Sequence, residues 1–526
     1  MVGVPKSKRC AFCKSRKTKC DEKWPTCGAC SRAGKICSGA RNTFKFVVNG
    51  SHNEMAVGYT TDEDRVRRTP TPGASQSRRA SPAGLTVVNV VHVPVGGFDS
   101  TQLAFSAPYT PISPSMPWKS SDTVIAKVVA CLEAAPGTGS DLRIVGAFLP
   151  LIPQHLGKAH VVLEHALELI MCAWANTRRG LPPTSWLDLR TYNRAIRSLT
   201  DALYDANTEE LTYTMAAQCI LQKTEVLYDF SRGSNQENHA AGLIAVYKGK
   251  GPDPGMSDVE LHIFFESLFH MLQEEVRLGR TSDFNTPEWT MALRHAIKAS
   301  SLGYIFRQTY LLWTEGTVWP VTVHLVRSLQ QNPSDMSIAT RLREKALSWA
   351  DFLQRQDETV LDHLFKNGDI TEVTIDTHPD IMYTCYEFTN YPTAKLFTSH
   401  AMFSIIACRA LQQANQALSY SDPSVEEQAR VFSRRIWKSH PWAKDKTPMS
   451  IDFTGPLCFS FESGNEQEQI YCRQSLDEME SFRQPPPIGV WSEETILANA
   501  QAYTGRLPFI KTQDSKVEYE RIGCRS

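Results

Sequence analysis

Residues 10–37 read CAFCKSRKTKCDEKWPTCGACSRAGKIC, and they contain six of the fourteen cysteines of a 526-residue chain. The spacing is C-x2-C-x6-C-x6-C-x2-C-x6-C, in which the half C-x2-C-x6-C occurs twice. The other eight cysteines are scattered singly along the sequence. Because the overall cysteine content is far below that of a disulfide scaffold, this local density favours a metal site. A disulfide knot is the less favoured alternative.

Counting ligands narrows the kind of metal site. Zinc takes four tetrahedral ligands and accepts thiolates, so two separate sites would need about eight ligands. Six cysteines with no histidine nearby fill two adjacent zinc sites only if two thiolates bridge, whereas one mononuclear site would leave two cysteines idle. The repeat makes three pairs equivalent, and one of them is expected to bridge: Cys10 with Cys27, Cys13 with Cys30, or Cys20 with Cys37.

Zinc in this segment is expected to be structural. About 28 residues cannot bury enough apolar surface to fold alone, so metal binding would supply the folding free energy. A site made only of cysteines leaves no coordination position open for water, which argues against catalysis by the metal.

The charge distribution points to a polyanionic partner. The chain holds 56 basic and 56 acidic residues, but residues 1–46 hold 12 basic side chains against two acidic ones. The net charge is therefore +10 in this segment and −10 in the rest of the chain. A basic segment of this kind indicates nucleic acid first, with a solvated basic tail as the alternative.

The cysteine stretch resembles the fungal Zn2Cys6 binuclear-cluster family of transcription factors. The resemblance implies that the first and fourth cysteines, Cys10 and Cys27, bridge two zinc ions. One zinc would then bind Cys10, Cys13, Cys20 and Cys27, and the other would bind Cys10, Cys27, Cys30 and Cys37. Pro25, two residues before the fourth cysteine, matches the proline that turns the loop between the halves in this family.

The two halves of the cysteine stretch differ in basic content, and this indicates which one contacts DNA. Each C-x2-C is expected to begin a short helix, and the first half is much more basic than the second. A helix fits the major groove, where arginine and lysine hydrogen-bond guanine. The resemblance places Arg16 and Lys17 at base-facing positions and implies a CGG-type triplet as target. Lys14, Lys19 and Lys23 are expected to contact phosphates.

Residues 41–120 are predicted to be a flexible linker, because Pro, Gly, Ser and Thr supply 31 of these 80 residues. Residues 41–70 have no sustained heptad pattern. We therefore expect either a monomer on one triplet or a homodimer formed by the large domain. Basic clusters at 6–9 and 16–19 are candidate nuclear-import signals. The candidate phosphorylation sites, whose negative charge would weaken DNA binding, are Thr69, Thr71, Ser81, Thr110 and Ser113.

Helical periodicity dominates from residue 121 to residue 455, which predicts a large all-α domain of stacked antiparallel helices. The strongest predicted helices cover 155–178, 189–203, 212–230, 256–278, 340–354 and 382–417. Residues 199–203 and 238–252 loosely resemble the middle homology region of fungal regulators. That resemblance implies a regulatory domain that binds a small-molecule effector or a coactivator. Residues 456–526 mix acidic and aromatic side chains, which is typical of an activation segment or of a further packed helix.

Catalytic motifs are absent from the sequence. The stretch GKGPDPG at 249–255 lacks the Ser or Thr of a P-loop, and its prolines remove backbone donors. His239 and His400 lie in helical patterns and are expected to be packed side chains. No apolar run is long enough to span a membrane.

The sequence thus predicts a nuclear, zinc-dependent transcription factor for RNA polymerase II genes, with two structural zinc ions and without enzymatic activity. Activation is expected from the resemblance, as is regulation of one metabolic or biosynthetic gene cluster. The alternative is an effector-sensing or coregulator-binding protein whose cysteine cluster does not contact DNA.

Overall fold

The computed structural model describes residues 13, 15, 16, 18–20, 27–35, 120–134, 141–155, 160–204, 211–228, 235–375, 381–444, 446, 452–480, 491–506, 510–511 and 517–518. The chain divides into two units, Met1–Pro117 and Trp118–Ser526, which are described separately below.

The described part of the first unit contains one complete short helix, α1, at Gly28–Arg32. Cys27 precedes α1 and caps it, because its Sγ accepts a hydrogen bond from the backbone N–H of Cys30. The helix ends at Arg32, and after the C-cap residue Ala33 comes Gly34, whose φ of 58° is a left-handed conformation that glycine adopts without strain. In the other half of the repeat, Cys13 and Ser15 are helical.

The second unit is built mainly of helices, none of which is both long and apolar enough to cross a membrane among the residues described. These helices are α2 Ser120–Glu133, α3 Ile152–His155, α4 Val161–Arg178, α5 Leu189–Tyr204, α6 Leu211–Tyr228, α7 Asn235–Lys250, α8 Asp258–Arg277, α9 Pro287–Ala299, α10 Tyr304–Gly316, α11 Trp319–Gln331, α12 Met336–Gln356, α13 Asp362–Lys366, α14 Tyr391–Ala417, α15 Ser424–Lys444, α16 Thr454–Ser460, α17 Glu466–Glu480 and α18 Glu493–Tyr503.

Local sequence explains where these helices begin. Ser257 and Glu260 form a reciprocal capping box at the start of α8, so two of the unpaired N–H groups of its first turn are satisfied.

α14 is the central helix and packs against α10, α12 and α15. Its side chains are buried around most of its circumference, which is expected of a helix inside a large core rather than on its surface.

The all-α prediction needs one correction, because the second unit contains an antiparallel hairpin. Strand β1, Ile370–Thr374, pairs with β2, Thr384–Phe388, and Ile370 lies opposite Phe388. The predicted helix at 382–417 therefore begins only at Tyr391. Asn390 caps it by accepting a hydrogen bond from Thr393 N, and Pro392 occupies the first turn, where proline is tolerated. A second, short pair joins β3, Ile510–Lys511, to β4, Val517–Glu518.

Helices from the predicted tail pack against the rest of the second unit. Phe459, Phe461 and Tyr471 are buried in its main hydrophobic core. The C-terminal end of α18 is bound to α11 through side-chain donors. Trp319 Nε1 donates to the carbonyl of Tyr503 at 2.8 Å, and Arg327 Nη2 donates to that of Ala502 at 3.1 Å. These two carbonyls lie in the last turn of α18, where backbone acceptors lack helical partners.

Candidate metal centre and nucleic-acid interface

Three cysteine sulfurs meet in the first unit. The Sγ atoms of Cys13, Cys20 and Cys27 all lie within 4.8 Å of one another. Cys13 and Cys27 are fully buried, and their sulfurs are 3.6 Å apart. The first half of the cysteine repeat is thus brought against the first cysteine of the second half.

The sulfur spacing distinguishes between a disulfide and a metal site. A disulfide bond holds its sulfurs about 2.05 Å apart, so the Cys13–Cys27 separation excludes a bond between them. Two thiolates on one tetrahedral zinc, each with a Zn–S distance of about 2.3 Å, lie about 3.8 Å apart. The observed 3.6 Å fits this second arrangement. The three cysteines are therefore suited to hold one metal ion, with a fourth ligand still to be supplied.

Cys30 packs beside this group without joining it. Its side chain is fully buried against Cys13 and Cys27, while its backbone N–H donates to Cys27 Sγ at 3.4 Å. Such a hydrogen bond orients the sulfur and stabilises its thiolate form. Cys10 and Cys37, the other two predicted ligands, lie outside the described residues.

Two of the five predicted DNA-contacting residues are described, and both are exposed. Arg16 and Lys19 lie in the segment between the buried Cys13 and Cys20. This segment turns tightly, because Thr18 N donates to the carbonyl of Cys13 at 3.0 Å. Exposed cations beside a buried sulfur cluster form a surface suited to a polyanion. Lys14, Lys17 and Lys23 lie outside the described residues.

The predicted linker sites also lie outside the described residues. This applies to Thr69, Thr71, Ser81, Thr110 and Ser113, and to the basic cluster at 6–9.

His239 and His400 in the second unit are both packed in the core. His239 Nε2 is hydrogen-bonded to Glu225 Oε1 at 3.0 Å, and His400 Nε2 lies 2.8 Å from the carbonyl of Leu353. Burial lowers the pKa of His400 to about 4, so the ring is neutral near pH 7. In the glycine-rich stretch, Lys250 forms ion pairs with Asp253 and Glu260. These contacts give each residue a structural role.

Four charged side chains that the sequence does not single out, Lys223, Glu266, Lys395 and Asp452, form an ionic cluster. Their side chains are 7%, 10%, 22% and 27% exposed, and the group is called the buried ionic cluster below. Glu266 pairs with Lys223 and with Lys395 at 3.2 Å each, and Lys395 also pairs with Asp452 at 3.1 Å. Burial lowers the pKa of Lys395, but the carboxylates of Asp452 and Glu266 outweigh it and hold that pKa above its usual value. The members come from four separate segments, so no local pattern could have revealed the cluster.

Comparison with known proteins gives a family match within the first unit. The model of the family described as the fungal Zn(2)-Cys(6) binuclear cluster domain matches residues 8–45. No curated protein and no solved structure matches the chain. The matched segment includes all six cysteines of the repeat, and a domain of this family binds two zinc ions. The match implies a zinc-dependent, DNA-binding transcription factor rather than an enzyme. It ends before the second unit begins.

Proposed function

We propose that the chain is a nuclear transcription factor that binds CGG-type triplets and regulates genes transcribed by RNA polymerase II. The observation that carries the proposal is the cluster of Cys13, Cys20 and Cys27 sulfurs beside exposed basic residues, within a segment that matches a DNA-binding family. The second unit would act as a regulatory domain that binds a coactivator or a small-molecule effector. If the chain forms a homodimer, the second unit would provide the interface.

The proposed ligand assignment follows from the family resemblance. Cys10 would complete the site of Cys13, Cys20 and Cys27, and the second zinc would be held by Cys10, Cys27, Cys30 and Cys37. The 3.6 Å spacing of the Cys13 and Cys27 sulfurs supports the first set, and the place of Cys30 outside the three-sulfur group supports its assignment to the second. The ions would supply folding free energy and no reaction chemistry.

DNA recognition would divide between two kinds of contact. Arg16 and Lys17 would hydrogen-bond guanine edges in the major groove, which gives sequence specificity. Lys14, Lys19 and Lys23 would contact phosphates, which gives affinity and salt dependence without specificity. The exposure of Arg16 and Lys19 leaves both side chains accessible to DNA.

The proposal also covers the division of the chain: a DNA-binding segment at 1–40, a linker at 41–120, a helical regulatory domain at 121–455 and a C-terminal segment at 456–526. Phosphorylation of Thr69, Thr71, Ser81, Thr110 or Ser113 would weaken DNA binding by adding negative charge near the basic segment.

Fluorescence anisotropy with the zinc-loaded full chain tests base recognition. One duplex carries a single CGG triplet, and a second duplex has the same composition with the triplet scrambled. We expect Arg16→Ala to weaken binding to the CGG duplex about 5- to 150-fold and to leave the scrambled duplex nearly unaffected, because one bidentate base contact is worth about 1–3 kcal/mol.

Lys19→Ala is the matched control in this experiment. Because Lys19 is expected to contact a phosphate, its replacement should weaken binding to both duplexes by a similar factor. It should also reduce the salt dependence of the affinity. Equal losses on the two duplexes for Arg16→Ala would refute base recognition by that residue. A chain that holds two zinc ions and binds neither duplex would instead support a protein-interaction role.

A further inference from the structure

A cavity of about 550 Å³ lies in the second unit, among α8, α10, β2, the first turn of α14 and the end of α15. Its size falls within the range of small-molecule sites, which is about 300–1,000 Å³. Seven aromatic side chains line it, namely Phe265, Phe306, Tyr310, Trp313, Phe388, Tyr391 and Trp442.

The aromatic walls are held in place by contacts among themselves and with their neighbours. Phe265 stacks on Tyr310 with ring centroids 4.2 Å apart, and the Tyr310 hydroxyl is hydrogen-bonded to His262 Nδ1. Phe388 meets Trp442 edge to face at 5.2 Å. Rings fixed in this way form a cavity that a planar ligand can enter without reorganising the core, so less of the binding free energy is lost to ordering.

The charges that line the cavity leave one cation in excess. Arg143 is paired with Asp141 at 2.9 Å, and Lys395 and Glu266 belong to the buried ionic cluster, which holds two cations and two anions. The Nζ atom of Lys446 lies over the Trp442 ring, 4.1 Å from the ring centroid. Among the described residues, no carboxylate forms an ion pair with Lys446.

We propose that this cavity binds a small aromatic organic anion, whose rings pack against the aromatic walls and whose acidic group pairs with Lys446. The aromatic lining favours a flat, apolar body, and the unbalanced cation favours a carboxylate or sulfonate over an amine. The cation–π contact with Trp442 holds the ammonium group at the wall, so its charge is available there at little entropic cost. This site does not depend on DNA binding by the first unit.

Two fluorescent probes separate the apolar and the ionic parts of the proposal. The anion is 1-anilinonaphthalene-8-sulfonate, and N-phenyl-1-naphthylamine has the same rings without the sulfonate. Each is titrated into the full zinc-loaded chain. We expect saturable binding of both probes. Lys446→Met should weaken the sulfonate about tenfold and leave the neutral probe unchanged, because a hydrogen bond to a charged group is worth about 1.5–3 kcal/mol.

Thr309→Trp fills the cavity and should weaken both probes at least about tenfold. Thr309 lines the cavity, and its hydroxyl donates a hydrogen bond to the carbonyl of Ile305 at 2.8 Å. The matched control is Thr340→Trp, because Thr340 makes the same kind of bond, to Met336 at 2.8 Å, on an exposed helix face. Lys366→Met, at a lysine side chain that is 77% exposed, controls for loss of a charge.

Circular dichroism and the thermal midpoint of unfolding check that each variant folds. If Thr309→Trp does not fold, Ala147→Leu replaces it, because Ala147 also lines the cavity. Unchanged affinity of both probes in the cavity-filling variant would overturn the site. Equal weakening of both probes by Lys446→Met, or no weakening of the sulfonate, would overturn its preference for anions.

Discussion

Gly316 shows how one missing side chain permits close packing. It ends α10, and a Cβ placed there would lie 2.5 Å from the ring of Phe403 on α14. We predict that Gly316→Ala lowers the free energy of unfolding by about 1–3 kcal/mol, because a rigid aromatic ring must move. Gly249→Ala in α7 is the control, since a Cβ there meets nothing within 4 Å and alanine favours the helix. Urea unfolding measures both, and an equal effect would contradict the packing argument.

Glu275 gives a pH-dependent prediction. It is buried in the last turn of α8, its Oε2 has no hydrogen-bond partner, and burial raises its pKa from 4.5 to about 7, with Asp283 adding to the shift. The unfolded chain ionises at the lower pKa, so above pH 7 folding carries the cost of a buried charge, and that cost disappears as the pH falls from about 7 to 4.5.

Glu275→Gln should therefore stabilise the fold at pH 8, by on the order of 3 kcal/mol at most, and have little effect at pH 4.5. Glu274→Gln is the neighbouring control. Glu274 pairs with Arg277 at 2.6 Å, and both side chains are largely buried, so the loss of its charge should destabilise the fold at pH 8. Chemical denaturation at the two pH values measures the difference, and a benefit that persists unchanged at pH 4.5 would disprove the ionisation argument.

At the scale of elements, the buried ionic cluster joins α6, α8 and α14 to Asp452, which lies two residues before α16. We predict that Lys395→Met costs about 1–3 kcal/mol, because it removes one of the two cations paired with Glu266, whose side chain is 10% exposed. The matched control is Lys438→Met, which breaks the more exposed pair with Glu372 and should cost under about 1 kcal/mol. Similar losses in the two variants would show that burial does not govern this cluster.

Periodicity predicts individually six of the thirteen described helices that have 13 or more residues. The predicted helix at 189–203 matches α5, Leu189–Tyr204, because an apolar stripe at helical spacing faces the core. Residues 382–390 form a short run that is compatible with either period, and pairing with β1 makes residues 384–388 a strand. α6 buries Gln218, Gln222 and Glu225 along one face, and such a polar buried face has no signature in sequence.

The metal centre was more predictable than the rest, because ligand number and spacing constrain it directly. The spacing predicts six cysteine ligands, and the structure brings three of them, Cys13, Cys20 and Cys27, together. The cavity could not be predicted. Phe265, Phe388 and Trp442 come from distant segments, and each alone is indistinguishable from an ordinary core residue.

For the whole molecule, we predict that zinc and helix content respond differently to a chelator. The second unit has its own hydrophobic core, whereas the first unit has a small cluster built on cysteines. A strong chelator should abolish DNA binding in anisotropy while the far-ultraviolet dichroism of the helices changes little. Addition of Zn²⁺ should restore binding, and Mg²⁺, which prefers oxygen ligands, is the control. Loss of most helical signal upon chelation would contradict the prediction.

The hydrogen bonds from Trp319 and Arg327 to the end of α18 determine what a late nonsense mutation would do. A reading frame that stops before codon 493 would leave the indole and guanidinium without these acceptors inside the protein, and would uncover the apolar surface beneath. Such an allele should produce an unstable polypeptide that proteases remove, so its phenotype would be that of a deleted gene.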